Sequence, residues 1–457
     1  MRNRRVAEEF LAEEDNAFHA ILTASMPKFR YPLSGLLALA LVVVGSGLRV
    51  WWSATHPPID FVYSDAERHW FNATHPLETN PFAGIDPPAY ELWLSLIARI
   101  TLGNRTALGI YAALLSLAAP FVWFLFARTV LQRKVLALWF WAVLTWLPSW
   151  IGIFSYFMNE TILIPLIGLS LWLTARERPD TPGRWVGLNL SWILTCLTRI
   201  IALPIAAVTM AFALSGTRHP ARRTLFALAV WTCALTPFAL RSYEILHIAT
   251  PFGLPYPHHI YWESGARDIY LHITVPSRGT GFDYNFTSRS AFDEPFHPFS
   301  KYQPRPSGRV EVLVNMDRGA ADWQRAAAEY SPTLSKRLHL YCENAVLFLL
   351  ADSWPDGHRE FVWENAAYHL HWMWLVIVPG VATGSAIYMY RNRSLQLVPC
   401  LAVASFLVPL FSNAGVMEAR FRKPLEGIFI LALFWLAEQW RNYSKTLDHR
   451  DAGPRSK

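Results

Sequence analysis

The chain has 457 residues, of which 53% are hydrophobic and only 16% charged, with 21 Trp and 28 Phe. A soluble domain carries about a quarter charged residues, so the composition weighs against several soluble domains and for many membrane spans. The formal net charge of +7 points to nucleic acid in a soluble chain, but here the basic residues fall between apolar runs, where they act as orientation signals.

Residues 1–32 read as a cytoplasmic N-terminal segment. Glu8, Glu9, Glu13, Glu14 and Asp15 occupy the place where a signal peptide keeps its apolar stretch. VAEEFLAEEDNAFHAIL suits either a short amphipathic helix on the membrane surface or a solvated, frayed tail. The first apolar run, LSGLLALALVVVGSGLRVWW (33–52), contains one charge and is long enough to cross roughly 30 Å of hydrocarbon.

About ten spans are expected, near 33–52, 106–127, 134–150, 156–175, 184–199, 200–216, 224–240, 366–390, 394–412 and 424–440. The pair over 184–216 is interrupted by Arg199, and one long kinked helix there would shift the parity of all that follows. The short loops RTVLQRK, RERPDTPGR, GTRHPARR and RNR are basic, so they are assigned to the cytoplasm and both termini fall inside. The fold class expected is an all-α membrane protein. Its parts are an N-terminal transmembrane module (33–240) with an external loop (53–105), an external segment (241–365), C-terminal transmembrane helices (366–440) and a cytoplasmic tail (441–457). The segment 241–365 is too long and too aromatic for a bare connector and is expected to be mostly helical. Its stretch DRGAADWQRAAAEYSPTLSKRLHLYCENAVLFLL reads as two helices parted at Ser331 and Pro332.

Cys196, Cys233 and Cys400 lie in apolar runs and Cys342 stands by itself in the polar segment, so there is neither a disulfide framework nor a CxxC metal pattern.

The external loop 53–105 holds two aspartates in ordered-turn contexts. Asp65, in VYSDAERHW, is either a helix cap or a carboxylate at the membrane boundary able to deprotonate an incoming hydroxyl or amine. Asp86, in GIDPPAYELWLSLIARI, precedes a proline, which favours extended geometry, and Pro88 suits the first turn of a helix. That helix places Tyr90, Trp93, Leu94 and Ile97 on one side, as an amphipathic helix in the interface does. Asp86 either caps it or pairs with Asp65 to flank an acceptor.

Glu160, in FSYFMNETILIPLIG, opens a span. It is read either as a water-facing interfacial residue or as a functional or paired acid, since charge at membrane depth is costly. Arg241 ends another span, and Glu418, Arg420, Arg422 and Lys423 in VMEARFRKPLEGIF lie on the same outer face. External positive charge runs against the topology rule. Either it bridges to Glu418 and lipid headgroups, or it holds a lipid-borne phosphate, which arginine grips in a forked geometry.

The arrangement resembles the GT-C superfamily of integral-membrane glycosyltransferases, in its bacterial branch related to the aminoarabinose and protein O-mannosyl transferases. YSDAERHW carries an acid in the first external loop, as that family does. DPPAYEL stands where the family has HPPLYY, with Asp86 for the histidine. LTRIIALPIAAVTMAFAL is similar to an LTRP-type span, with Ile200 for the proline. TPFALRSYEI is similar to the PW-x-x-RN segment, with Phe238 for Trp, Arg241 kept and Ser242 for Asn. EARFRKPLEGIFIL is similar to the closing E-x-RYR-x-P-LEP, with Phe421 for Tyr and Gly427 for Pro.

The resemblance covers nearly the whole chain. It implies inverting hexosyl or pentosyl transfer from a polyprenyl-phosphate sugar to a glycan, lipid or protein acceptor. Asp65 is then the general base, with Asp86 beside it as the second carboxylate. Arg241, with Arg420 or Arg422, holds the phosphate, and Tyr90, Glu160, His69 and Glu418 complete the substrate site. Metal independence is favoured over a divalent metal, there is no role for nucleic acid, and the active site is expected on the periplasmic face of a bacterial inner membrane. The rival readings are a polysaccharide polymerase or ligase of another fold, a transporter of lipid-linked sugar, or a non-catalytic scaffold.

Overall fold

The computed structural model describes residues 33–62, 65–75, 86–176, 182–246, 249–252, 269–276, 283–288, 303–304, 309–315, 345, 348–349, 355–356, 361–407 and 421–451. The N-terminal segment, Cys342, Glu418 and Arg420 lie outside the described residues, as does nearly all of the stretch in which two helices are expected.

In chain order the helices before the large polar segment are α1 (Leu33–Thr55), α2 (Asp65–Thr74), α3 (Pro88–Thr101), α4 (Arg105–Val130), α5 (Lys134–Thr145), α6 (Pro148–Gly152), α7 (Glu160–Ala175), α8 (Pro182–Thr198), α9 (Ala202–Ser215) and α10 (Pro220–Leu246). Strands β1 (Ile269–Pro276), β2 (Asp283–Ser288), β3 (Gln303–Pro304) and β4 (Arg309–Asn315) follow. Then come α11 (Val362–Leu370), α12 (Met373–Asn392), α13 (Leu397–Leu407) and α14 (Glu426–Asp451).

Among the described residues, α1, α4, Pro220–Glu244 of α10, and α12 are long and apolar enough to cross a membrane, and α5 with Pro148–Ser155 makes a fifth if the pair, bent by 61°, is one span. These helices mark a membrane protein. The expected count of about ten is not reached by this measure, because α7, α9 and α13 are apolar but shorter than a full crossing. Chain breaks explain part of the difference. Pro148 starts a new helix where 134–150 reads as one span, and the chain does part at Arg199, between α8 and α9.

The polar segment also carries an element not expected from the sequence. Its described residues hold a four-stranded antiparallel sheet in the order β2-β1-β4-β3, with Ile269 opposite Ser288 and Tyr270 opposite Asn315. In IYLHITVP the aliphatic Ile269, Leu271, Ile273 and Val275 alternate with Tyr, His, Thr and Pro, and in RVEVLVN Val310, Val312 and Val314 recur at every second position, the period-2 pattern of a strand.

The helical core is built around α4, which packs on α1, α5 and α7. Its Trp123 is fully buried and donates from Nε1 to the Ile164 carbonyl at 2.9 Å. A Cβ at Gly168 of α7 would lie 2.7 Å from the indole, and one at Gly427 of α14 would lie 2.8 Å from it. Those two glycines let α7 and α14 close on one tryptophan. This gives a packing reason for glycine at 427, where the resembling motif has proline.

Charges inside the helical core are fixed in place. Arg49, the single charge of α1, is fully buried. It donates to the carbonyls of Thr145 (2.7 Å), Leu144 (2.9 Å), Trp150 (3.0 Å) and Ser116 (3.0 Å), and to Ser116 Oγ at 2.9 Å. A helix end leaves its last carbonyls without intrahelical partners; in a bent span those would face hydrocarbon, where each unsatisfied group is expensive. Arg49 satisfies them at the α5–α6 bend. Arg199, in the α8–α9 break, pairs with the fully buried Glu160 at the start of α7 and lies over the Phe421 ring at 4.4 Å.

The connection from α3 to α4 turns through two left-handed residues, Leu102 (φ 51°) and Gly103 (φ +71°). Glycine takes that region without steric cost. Asn104 then accepts from the Ala107 N–H at 3.0 Å and caps α4.

Candidate functional site

Spacing on α2 places Asp65, Arg68, His69 and Asn72 at i, i+3, i+4 and i+7, which is one face of a helix. That polar face packs against the start of α3, where Asp86, Tyr90 and Glu91 cluster around the Pro87–Pro88 pair. Pro87 takes the cap position of α3 and Pro88 its first turn, so no side chain caps this helix. Asp86 is instead bound to an arginine. Arg68 donates from Nε to Asp86 Oδ2 at 2.8 Å and from Nη2 to Asp86 Oδ1 at 3.2 Å, while its Nη1 donates to Asp65 Oδ1 at 2.8 Å. One guanidinium thus spans both aspartates. The forked contact fixes Asp86, whose side chain is 9% exposed; Asp65, at 24%, is the more open of the two.

His69 and Tyr90 form the buried floor. His69 Nδ1 stands 3.7 Å from Asp86 Oδ2, and its ring meets Tyr90 edge to face at 5.1 Å. Asn72 Nδ2 donates to Glu91 Oε1 at 2.6 Å. From α10, Arg241 brings Nη2 to 3.8 Å from Glu91 Oε2. Among the described residues this is the only contact of the Arg241 guanidinium, which donates no hydrogen bond and is 26% exposed. Burial first, and then the nearby Asp86 carboxylate, push Glu91 up to about 8, against the pull of Arg241, Arg68 and the Asn72 bond.

Five of the residues singled out in the sequence therefore meet: Asp65, Asp86, His69, Tyr90 and Arg241. Glu160 and Arg422 are held elsewhere. Glu160 is not water-facing; it is paired with Arg199. Arg422 is buried, and its guanidinium lies 3.4 Å from Glu426 Oε1. It donates to the carbonyls of Phe348 (2.5 Å) and Leu349 (2.9 Å) and lies over Trp374 at 5.4 Å. Its neighbour Lys423, also buried, donates to Asp356 at 3.0 Å. These two cations pin part of the polar segment to the start of α14. Both are buried, so they are not the headgroup-facing cations of the blander sequence reading.

Sequence reasoning missed Arg68, Asn72 and Glu91. Arg68 had a local signal, three residues beyond Asp65 on the same helix face. Its second partner lies 18 residues away, and only the packing of α2 on α3 reveals it. Among the described residues, no group of three or more His, Cys, Asp or Glu side chains is disposed to hold a metal ion.

No protein-family model and no curated protein matches the chain. Among solved structures, the archaeal oligosaccharyltransferase AglB from Archaeoglobus fulgidus, in complex with an inhibitory peptide and a dolichol-phosphate, superposes with a TM-score of 0.41 at 12% identity. The match covers 92% of this chain and 52% of that one, so the chain spans about half the length of that protein.

Proposed function

We propose that the chain is an integral-membrane glycosyltransferase. It moves a hexosyl or pentosyl unit from a polyprenyl-phosphate donor to a glycan, lipid or protein acceptor, on the face of the membrane that carries Asp65. The observation that carries the reading is the division of labour between two arginines of one cluster. Arg68 is committed to Asp65 and Asp86, while Arg241, which reaches the cluster at Glu91, donates no hydrogen bond among the described residues. An anion held at Arg241 is brought to the same cluster that fixes Asp65 and Asp86, the arrangement that a phosphate leaving group and a base on the acceptor use.

In that reading the acceptor oxygen or nitrogen attacks the anomeric carbon and the bond from that carbon to the phosphate oxygen breaks. The acceptor proton passes to Asp65, the more exposed carboxylate. Asp86, locked by the Arg68 fork and backed by His69, orients the acceptor. The guanidinium of Arg241 neutralises charge growing on the departing phosphate, the electrostatic stabilisation that contributes most in such sites. Arg420 and Glu418, from the closing motif, are assigned to the same donor end by resemblance alone. Arg422 drops out of the phosphate site because it is buried, with Nε and Nη1 already bonded to Glu426 and to the Phe348 and Leu349 carbonyls. A lipid phosphate leaves without being protonated, so one base suffices and no metal is invoked. The location assigned is a bacterial inner membrane with the site facing the periplasm.

The buried charges elsewhere do not favour a transporter. Such a protein needs charges free to exchange partners at membrane depth, whereas Arg49 and Arg199 are bound to fixed carbonyls and to Glu160.

The test is label transfer from a pool of polyprenyl-phosphate sugars in membranes containing the chain. Transfer that is lost in an equally abundant Asp65→Asn variant supports the reading. Transfer that Asp65→Asn leaves intact, or no transfer from any donor, contradicts it.

A further inference from the structure

Glu91 has no part in the transfer step just described, yet it is the residue that Arg241 faces. The residue is 6% exposed, and its carboxyl is held from one side by the Asn72 amide at 2.6 Å. The Arg241 guanidinium stands on the other side at 3.8 Å, beyond hydrogen-bond length. A carboxyl at that distance attracts the cation without taking up its N–H donors. The arginine is therefore set between a buried acid and the opening of the site.

We propose that Glu91 is a positioning residue for the donor: Asn72 fixes its carboxyl, the carboxyl sets where Arg241 stands, and the donor phosphate competes with Glu91 for that cation. The proposal rests on the reading of Arg241 as the phosphate ligand.

The surroundings of Glu91 define the sign of the competition. Its own helix carries Tyr90, with Asp86 just before its start. From α2 come Arg68 and, through their contacts with Asp86 and Arg68, His69 and Asp65. From α10 comes Arg241. Helix α8 packs on α3 with Ile193 and Leu197 beside Ala89, and its Cys196 is buried. With Glu91 raised to about 8 by burial and Asp86, the carboxyl is mostly neutral at pH 7, and Arg241 then faces an uncharged partner. Above pH 8 Glu91 ionises and becomes a rival anion for Arg241. A polyprenyl phosphate has its second pKa near 6, so its own charge barely changes across this interval.

The experiment measures binding of a fluorescent short-chain polyprenyl phosphate to the full chain in detergent at pH 7 and pH 9. Wild type is expected to bind about tenfold more weakly at pH 9, the equivalent of one pKa unit of interaction. Glu91→Gln, which keeps an oxygen for the Asn72 bond and cannot ionise, is expected to bind equally at both. Asn72→Ala, which alters no charge, is expected to weaken binding at pH 7 and to keep the alkaline loss. An alkaline loss in Glu91→Gln equal to that of wild type overturns the proposal while leaving the donor reading intact. Wild-type binding that is insensitive to Arg241→Ala, or absent at pH 7, overturns the donor reading and the proposal together.

Discussion

Arg68 grips Asp86 with two near-parallel bonds, Nε to Oδ2 at 2.8 Å and Nη2 to Oδ1 at 3.2 Å, and in doing so fastens α2 to the head of α3. The third nitrogen reaches Asp65, so both carboxylates are set relative to one rigid plane. A lysine keeps the charge but offers a single point in place of a fork. Arg68→Lys is therefore expected to lower transfer by about 10- to 100-fold at unchanged abundance, measured as initial rates in membranes. A rate equal to wild type would mean that the fork does not organise the site.

The two arginines of the resembling motifs should separate cleanly. Arg241→Ala is expected to weaken polyprenyl-phosphate binding and to leave thermal stability in detergent nearly unchanged, since the side chain makes one loose ion-pair contact. Arg422→Ala is expected to do the reverse. It leaves Glu426 buried beside an emptied site, a loss that costs about 3–5 kcal/mol for a buried pair and is read as a fall in the thermal midpoint.

Gly427 and Trp123 give a test of packing alone. A Cβ at position 427 would lie 2.8 Å from the indole, which is fully buried and bonded to the Ile164 carbonyl. Gly427→Ala is expected to destabilise the chain by about 1–3 kcal/mol through overpacking. Adding Trp123→Phe should recover part of the loss if the clash is its source. Thermal unfolding followed by tryptophan fluorescence reads both.

Glu91 also makes stability depend on pH. Its folded pKa is raised to about 8 from an ordinary 4.5, so between those values the folded chain holds a proton that the unfolded chain has released. Stability contributed by this group is then full below about pH 4.5, falls as pH rises toward 8, and levels off above, with a slope of at most about 1.4 kcal/mol per pH unit. The thermal midpoint is expected to fall from pH 5 to pH 8 and to fall less in Glu91→Gln. Parallel slopes in the two proteins would assign the dependence to other groups.

What the sequence disclosed follows from how local its signals are. Apolar runs predict α1, α4 and α12 because a lipid-facing helix needs only length and composition. The DPP turn predicts the start of α3 because proline acts on its immediate neighbours. The break at Arg199 was visible as a charge within an apolar run, but its partner Glu160 lies 39 residues earlier and no pattern links the two. Arg49 was visible in the same way, and its purpose emerges only where α5 bends away from α6. The sheet was missed because β1 pairs with β4 across a long intervening stretch, Tyr270 opposite Asn315, and Ala- and Leu-rich stretches dominated the reading of that segment. Arg422 was misjudged because sequence shows charge and order along the chain, and not that Phe348 and Leu349 fold over it.

The central claim is that one site joins a phosphate at Arg241 to a base at Asp65. It is tested most directly by an experimental structure of the full chain with a polyprenyl phosphate bound. The expected result is a phosphate within hydrogen-bond reach, about 3 Å, of the Arg241 guanidinium and on the side of the cluster where Asp65 is exposed. A phosphate bound at the opposite end of the bundle, beside Arg133 and Lys134, with Arg241 still facing Glu91 alone, would contradict it.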